Sequence, residues 1–221
     1  MTDLSGPATD LFVDFLCPYA WRGVELAAVL RGQDETFRLR HFSLVEGNHA
    51  ENAKTHNWSL TDQPLDAPDG DGYMKYQTPS LRAFLAATAA AKQGDDAAWA
   101  FTLALFRAHH EGKKALDDDT IAAAAEEAGL DLARFEADCR DEAALRAELK
   151  AEQDASREIG VFGTPTYVLP DGEAAYYRFE NLTRDPATAL EWWNIYKTVL
   201  RSDPGVATIK RAKNRPAARM S

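Results

Sequence analysis

The chain has 221 residues, 45% of them apolar, with 25 Lys and Arg against 35 Asp and Glu and a formal net charge of −10. That length suits one large soluble domain or a domain with an insertion, no apolar run is long enough to span a bilayer, and the acidic balance opposes general nucleic-acid binding. Two cysteines are too few for a disulfide framework or a thiolate zinc site, and residues 1–9 lack the basic-then-apolar pattern of a secretory leader, which points to the cytoplasm.

Residues 11–16, Leu-Phe-Val-Asp-Phe-Leu, form an apolar run that reads as a buried strand. Apolar positions then recur at helical spacing through Trp21, Val24, Ala27 and Ala28 until Gly32 supplies a stop. Cys17 falls at the junction. Pro18 suits the first helical position, so the sulfur faces the unpaired N–H groups of the first turn. Those donors, the helix dipole and a nearby cation such as Arg22 favour a thiolate, and cysteines in such settings fall from a free pKa of ~8.5 to roughly 3.5–7.5. The alternative is a small buried hydrophobe that happens to precede a helix.

Residues 37–44 alternate apolar and polar side chains, which predicts a strand with one face buried, and the opening is therefore β-α-β with the two strands parallel. Over 45–78 no period survives, and Asn, Asp, Gly and Pro are frequent; a connection so long is either disordered or a lid. Trp58, Tyr73 and Tyr76 either line a substrate there or pin the loop to the core. An Ala-rich helical block follows: 80–93 ending at Gly94, a second helix capped by Asp95 or Asp96 and running through His109 and His110, and a third opened by Asp119 and Thr120 and stopped by Gly129. One or two more helices run over 131–159, up to Gly160. His109 and His110 suit a helix C-terminus, where a cation offsets the dipole. The sheet resumes at 161–170, turns at Pro170-Asp171-Gly172-Glu173 and returns over 174–179. A helix over about 186–200 covers the second face of the sheet. The basic stretch with Lys210, Arg211, Lys213, Arg215 and Arg219 reads as a solvated tail.

The strand-Cys-Pro-aromatic-helix opening, the helical block and Gly163-Thr164-Pro165-Thr166 before a hairpin together resemble the DsbA-like branch of the thioredoxin fold. Asp14-Phe15-Leu16-Cys17-Pro18-Tyr19 is most similar to the FrnE-like cytoplasmic proteins, with more distant similarity to 2-hydroxychromene-2-carboxylate isomerases and kappa-class glutathione transferases. The resemblance spans about residues 10–200. It implies an α/β thioredoxin fold, β-α-β then α-β-β-α, split between 10–45 and 160–202. An irregular loop at 46–78 and an all-helical insertion at 79–159 interrupt it, and a basic tail follows at 203–221.

The resemblance also implies that Cys17 is the attacking cysteine and that Thr164–Pro165 is a cis peptide opposite the sulfur, leaving the Thr164 backbone to pair with an extended peptide or a bound thiol. Substrate-binding positions are then Pro18, Tyr19, Ala20, Thr164 and Pro165. Arg22 is an auxiliary candidate beside the cysteine, and Asn181 (or Asn48) one for binding polar groups. Asp14 either assists proton transfer or is a solvated strand-end acid; His41 either faces the thiol or is a hydrogen-bonded surface imidazole. No spacing of histidines with carboxylates suggests a metal.

A dithiol enzyme needs a second cysteine three residues after the first, and this chain has Ala20 there. Three readings follow. Cys17 works as a monothiol on a disulfide-containing protein or small molecule, resolved by glutathione or another small thiol. Alternatively the chain is a glutathione-dependent isomerase or transferase, although that group usually carries serine at the Cys17 position and Phe179-Glu180-Asn181-Leu182 poorly matches its cofactor signature. Finally, it is a non-catalytic peptide-binding or chaperone-like module. Cys139 reads as a structural or exposed thiol, its acidity lowered by Asp138, Asp141 and Glu142, and as a resolving thiol only if its Cα lies within about 7 Å of that of Cys17.

Overall fold

In the computed structural model, which describes residues 8–33, 35–66 and 70–201, the N-terminal apolar run becomes β1 (Thr9–Val13), a central strand of a four-stranded sheet. Leu11 and Val13 join the main core, Phe12 packs on the opposite face with Phe42 and Val161, and all three β1 side chains are fully buried. Both faces of the strand are thus covered, which is why the run is apolar without alternation. It stops at Val13 rather than at residue 16. The Asp14 carboxylate accepts the Leu16 amide at 2.8 Å and turns the chain.

Helix α1 (Pro18–Arg31) follows, then β2 (Phe37–His41), parallel to β1 with Val13 opposite His41. The sheet resumes with β3 (Thr166–Val168), antiparallel to β1, and β4 (Ala174–Tyr176), giving the order β2-β1-β3-β4. The last helix of the described residues is α8 (Pro186–Arg201), packed against α1. The expected β-α-β and α-β-β-α segments of a thioredoxin fold are both present.

The segment expected to be irregular contains the short helix α2 (Leu44–Gly47) and three 3₁₀ turns, at Ala50–Asn52, Leu60–Asp62 and Gly72–Tyr76. It winds about one carboxylate. Glu46, 4% exposed, accepts from the Leu60 amide at 2.8 Å and contacts His56 Nε2 and Arg157 Nη1, each at 2.8 Å. Trp58 stacks on His49 at 4.1 Å, pinning the loop.

Between β2 and β3 lie α3 (Gln77–Ala91), α4 (Asp95–His110), α5 (Asp118–Glu127), α6 (Leu132–Arg140) and α7 (Glu142–Ile159). Most of α3 is buried, and its alanines let α4, α5, α6 and α7 approach it closely. The caps follow sequence chemistry: Asp131 and Asp141 open α6 and α7, and Gly160 ends α7 at φ +85°, the left-handed region that glycine enters without penalty. Helix α5 is opened by Asp117, whose carboxylate accepts the Thr120 amide at 2.9 Å, two residues ahead of the expected Asp119. No helix among the described residues is long and apolar enough to cross a membrane. The basic tail lies outside the described residues.

Candidate active site

Cys17 is the N-cap of α1, with extended backbone (φ −92°, ψ 113°) and Pro18 at the first helical position. Its sulfur accepts from the Ala20 amide at 3.4 Å and donates to the Thr164 carbonyl at 3.3 Å, across 147 residues of sequence. These contacts act in opposite directions. The amide supports negative charge on sulfur, whereas the carbonyl supports the proton. Cys17 is buried, with 6% of the residue exposed, and it joins the edge of the main core. The Thr164–Pro165 bond is cis, and the Thr164 hydroxyl is buried without a hydrogen-bond partner among the described residues.

Glycine at position 23 brings the two halves of the site together. A Cβ there would lie 2.8 Å from the Tyr167 hydroxyl oxygen and 3.0 Å from Pro165 Cβ and Cγ. The second turn of α1 therefore packs directly on the proline loop, and the Tyr167 hydroxyl donates to the Gly23 carbonyl at 3.2 Å. Nothing in the local sequence around Gly23 signals this contact, because Pro165 and Tyr167 lie more than 140 residues further along the chain.

Two guanidiniums pack on the ring of Tyr19, with Arg22 Cζ 5.1 Å and Arg178 Cζ 4.5 Å from its centroid. Arg178 also lies 5.3 Å from the Tyr176 ring, which in turn packs edge-on against the exposed Phe162 at 5.3 Å. Burial pushes the Tyr176 phenol up, Arg178 pulls it down, and Cys17 and Tyr19 add to the rise, so these residues share one electrostatic neighbourhood. Arg178 and Tyr176 were not among the sequence candidates. Arg178 follows a strand by two residues, and nothing local connects it to a cysteine in the first helix.

The auxiliary candidates divide. Asp14 is completely buried, neither mid-strand nor solvated, and accepts from the amides of Leu16 (2.8 Å) and Leu44 (2.7 Å), tying the turn before Cys17 to the start of α2. Desolvation pushes its pKa up to about 6, against the lowering effects of those two amides and of His41. His41 is buried and turns to α7, where Glu152 Oε2 lies 2.7 Å from its Nδ1 and accepts the His41 backbone amide at 3.2 Å. Arg22 stays at the site and donates to the Phe179 carbonyl at 3.2 Å. Asn181 lies on exposed chain two residues beyond that carbonyl.

Behind the cysteine the structure adds two groups. His110 is no surface cation: it packs face to face with Trp21 at 5.5 Å, and its Nε2 lies 2.8 Å from the Phe15 carbonyl. Burial lowers its pKa to about 4 despite that hydrogen bond, so the imidazole is neutral at pH 7 and donates to the carbonyl. Glu25, 1% exposed, receives Arg107 from α4 at 2.7 and 2.8 Å and Arg184 at 2.9 and 2.6 Å. Desolvation opposes its charge, but the two guanidiniums outweigh it and hold the carboxyl at about 2. A glutamate inside the apolar run Val24-Glu25-Leu26-Ala27 was the one signal the sequence offered.

Cys139 sits near the end of α6, and both cysteines are free. Burial, Asp138 and Glu136 push its thiol up to about 11, leaving it protonated and weakly nucleophilic at neutral pH; Glu136 takes the place expected of Asp141 and Glu142. Among the described residues, no group of three or more His, Cys, Asp or Glu could hold a metal.

A family model described as a DSBA-like thioredoxin domain matches residues 8–184. Among solved structures, the cytosolic disulfide reductase DsbM from Pseudomonas aeruginosa, determined with GSH, aligns with a TM-score of 0.55 at 19% identity, covering 86% of this chain and 98% of that one. A 2-hydroxychromene-2-carboxylate isomerase aligns at 0.58 and 21%, covering 86% and 97%. A probable DsbA oxidoreductase from Streptomyces coelicolor aligns at 0.58 and 18%, covering 94% and 95%. At these identities the structural likeness speaks for the fold. No curated protein matches the chain.

Proposed function

The chain belongs to the DSBA-like thioredoxin domain family, and on that premise we propose that it is a thiol-disulfide oxidoreductase that works with one active-site thiol, Cys17, and an external small thiol such as glutathione. The observation that carries this reading is the sulfur held between the Ala20 amide and the Thr164 carbonyl, with alanine where a second cysteine would stand. The Cys17 thiolate attacks one sulfur of a disulfide X–S–S–X, a Cys17–S–S–X bond forms, and X–S⁻ leaves with the electron pair. With no second cysteine in the motif, an external thiolate attacks the mixed disulfide and returns Cys17 to its reduced form. A second external thiol frees the remaining X–S⁻, so two thiols are oxidised for each disulfide reduced.

In this cycle the Ala20 N–H stabilises the thiolate when Cys17 serves as nucleophile and as leaving group, and Pro18, Tyr19 and the Thr164–Pro165 backbone border the substrate. A cytoplasmic location supplies the reducing thiol pool that the cycle requires. The GSH present with DsbM supports glutathione as the partner thiol.

A second reading, a glutathione-dependent isomerase, draws on the fold likeness to 2-hydroxychromene-2-carboxylate isomerase and on the missing second thiol. One experiment separates them: disulfide reduction by the whole chain with glutathione, in wild type and Cys17→Ser. Loss of at least 100-fold in the variant is the result expected. Full activity in Cys17→Ser would exclude thiol exchange at this residue, and isomerase turnover surviving the same change would favour the second reading.

A further inference from the structure

Arg22 and Arg178 differ from every other arginine with a described side chain. The rest, including Arg31, Arg107 and Arg184, reach a carboxylate within 4.0 Å, whereas these two have no carboxylate partner among the described residues. In a chain with ten more acids than bases, unpaired guanidiniums are the exception. Both pack on the ring of Tyr19, two residues after the nucleophile, and Arg178 also packs on Tyr176, which lies within electrostatic reach of Cys17. Arg22 spends one donor on the Phe179 carbonyl and keeps the others. Aromatic faces hold the planar guanidiniums in place while leaving their edges for an anion.

We propose that Arg22 and Arg178 form a carboxylate clamp that selects the small thiol exchanged with Cys17, one bearing carboxylate groups a few bonds from sulfur. The inference rests on the thiol-exchange reading above. During exchange the incoming sulfur meets Cys17 in line with the breaking S–S bond, so the rest of the small molecule extends over Tyr19, where a carboxylate meets both guanidiniums. Neutral or cationic thiols gain nothing there.

The test compares two disulfide probes on the full chain carrying Cys139→Ser, so that only Cys17 reports. One is 5,5′-dithiobis(2-nitrobenzoate), with a carboxylate on each ring; the other is uncharged 4,4′-dithiodipyridine. In each case the Cys17 thiolate attacks a sulfur, the S–S bond breaks, and one chromophoric thiol leaves and is counted. The ratio of the two rate constants cancels any change in the nucleophilicity of Cys17 itself. Electrostatic attraction at a binding cleft accelerates association by roughly 10–10³-fold. The carboxylate probe is therefore expected to lose about tenfold or more against the neutral probe in Arg22→Gln/Arg178→Gln, with intermediate loss in each single variant and most of the ratio restored by lysine. In the parent, raising salt from 0.01 to 0.5 M is expected to slow the carboxylate probe alone, because the screening length falls from about 30 Å to a few ångströms. Equal slowing of both probes, or a ratio unchanged by substitution and salt, overturns the clamp while leaving Cys17 reactive. A parent that reacts with neither probe overturns the thiol-exchange reading and the clamp with it.

Discussion

Two buried carboxylates flank Cys17, eleven residues apart, and they are held in opposite ways. Asp14, before the helix, is met by two neutral amides, and its pKa is pushed up to about 6. Glu25, in the body of α1, is met by two guanidiniums and is held at about 2. Both are shielded from water, so burial alone does not decide the outcome; the formal charge of the partner does. The rear of α1 is fixed to α4 and to the chain before α8 by full charges, while its mouth, where the sulfur sits, is set by dipoles. The reactive end thus rests on a helix whose far side is anchored elsewhere.

Removing the charged anchor gives the largest expected effect. Glu25→Gln leaves Arg107 without its counter-ion and Arg184 with Glu111 alone, and loss of one member of a buried pair costs about 3–5 kcal/mol. Both arginines are partly open to solvent, which brings the expectation to about 3 kcal/mol, read as a lower denaturant midpoint. Acid sensitivity changes with it. Because the folded Glu25 pKa lies below its ordinary 4.5, wild type loses this contribution as pH falls from 4.5 towards 2, and the variant lacks that loss.

The contact between the mouth of α1 and the proline loop is tested by Gly23→Ala. The new methyl meets the Tyr167 hydroxyl and the Pro165 ring too closely, and such overpacking costs about 1–3 kcal/mol. Since the displaced helix turn carries Cys17 away from the Thr164 carbonyl, alkylation of Cys17 is expected to change several-fold, whereas a substitution on the outer face of α8 leaves it unchanged.

Asp14→Asn is the mildest of the three. An amide keeps one acceptor for Leu16 or Leu44 but brings donors that need partners, at a cost of about 1 kcal/mol near pH 5. Here the sign of the pH effect is reversed. The folded pKa of Asp14 is raised, so its contribution to stability is fully present below its unfolded value of 3.8 and is lost as pH rises through about 6. In urea titrations across pH 4–7 the variant is expected to show a flatter profile; an unchanged slope would assign that titration to another group.

The sequence makes some of this legible and hides the rest for physical reasons. Cys17 and Pro18 announce a helix N-terminus because capping is local, and Gly160 and Asp131 mark their helix ends for the same reason. The resemblance supplied the cis bond at Pro165, which propensity alone leaves open. Glu25 pairs with residues 82 and 159 positions away, and Arg178 meets Tyr19 across 159 positions. Such partners follow from topology. The reading of His110 as a charged end-group failed because its neighbours, Trp21 and the Phe15 carbonyl, belong to another part of the chain.

The two sides of the cysteine's cradle are separated by 147 residues, and this matters while the protein is being made. At roughly 5–20 residues per second, ribosomes need about 7–30 s to add that much chain. Throughout this interval the nascent thiol has emerged without its opposing loop, open to any oxidant or adventitious thiol nearby. A cell that translates this message more slowly should therefore accumulate more polypeptide already capped on sulfur before folding is complete.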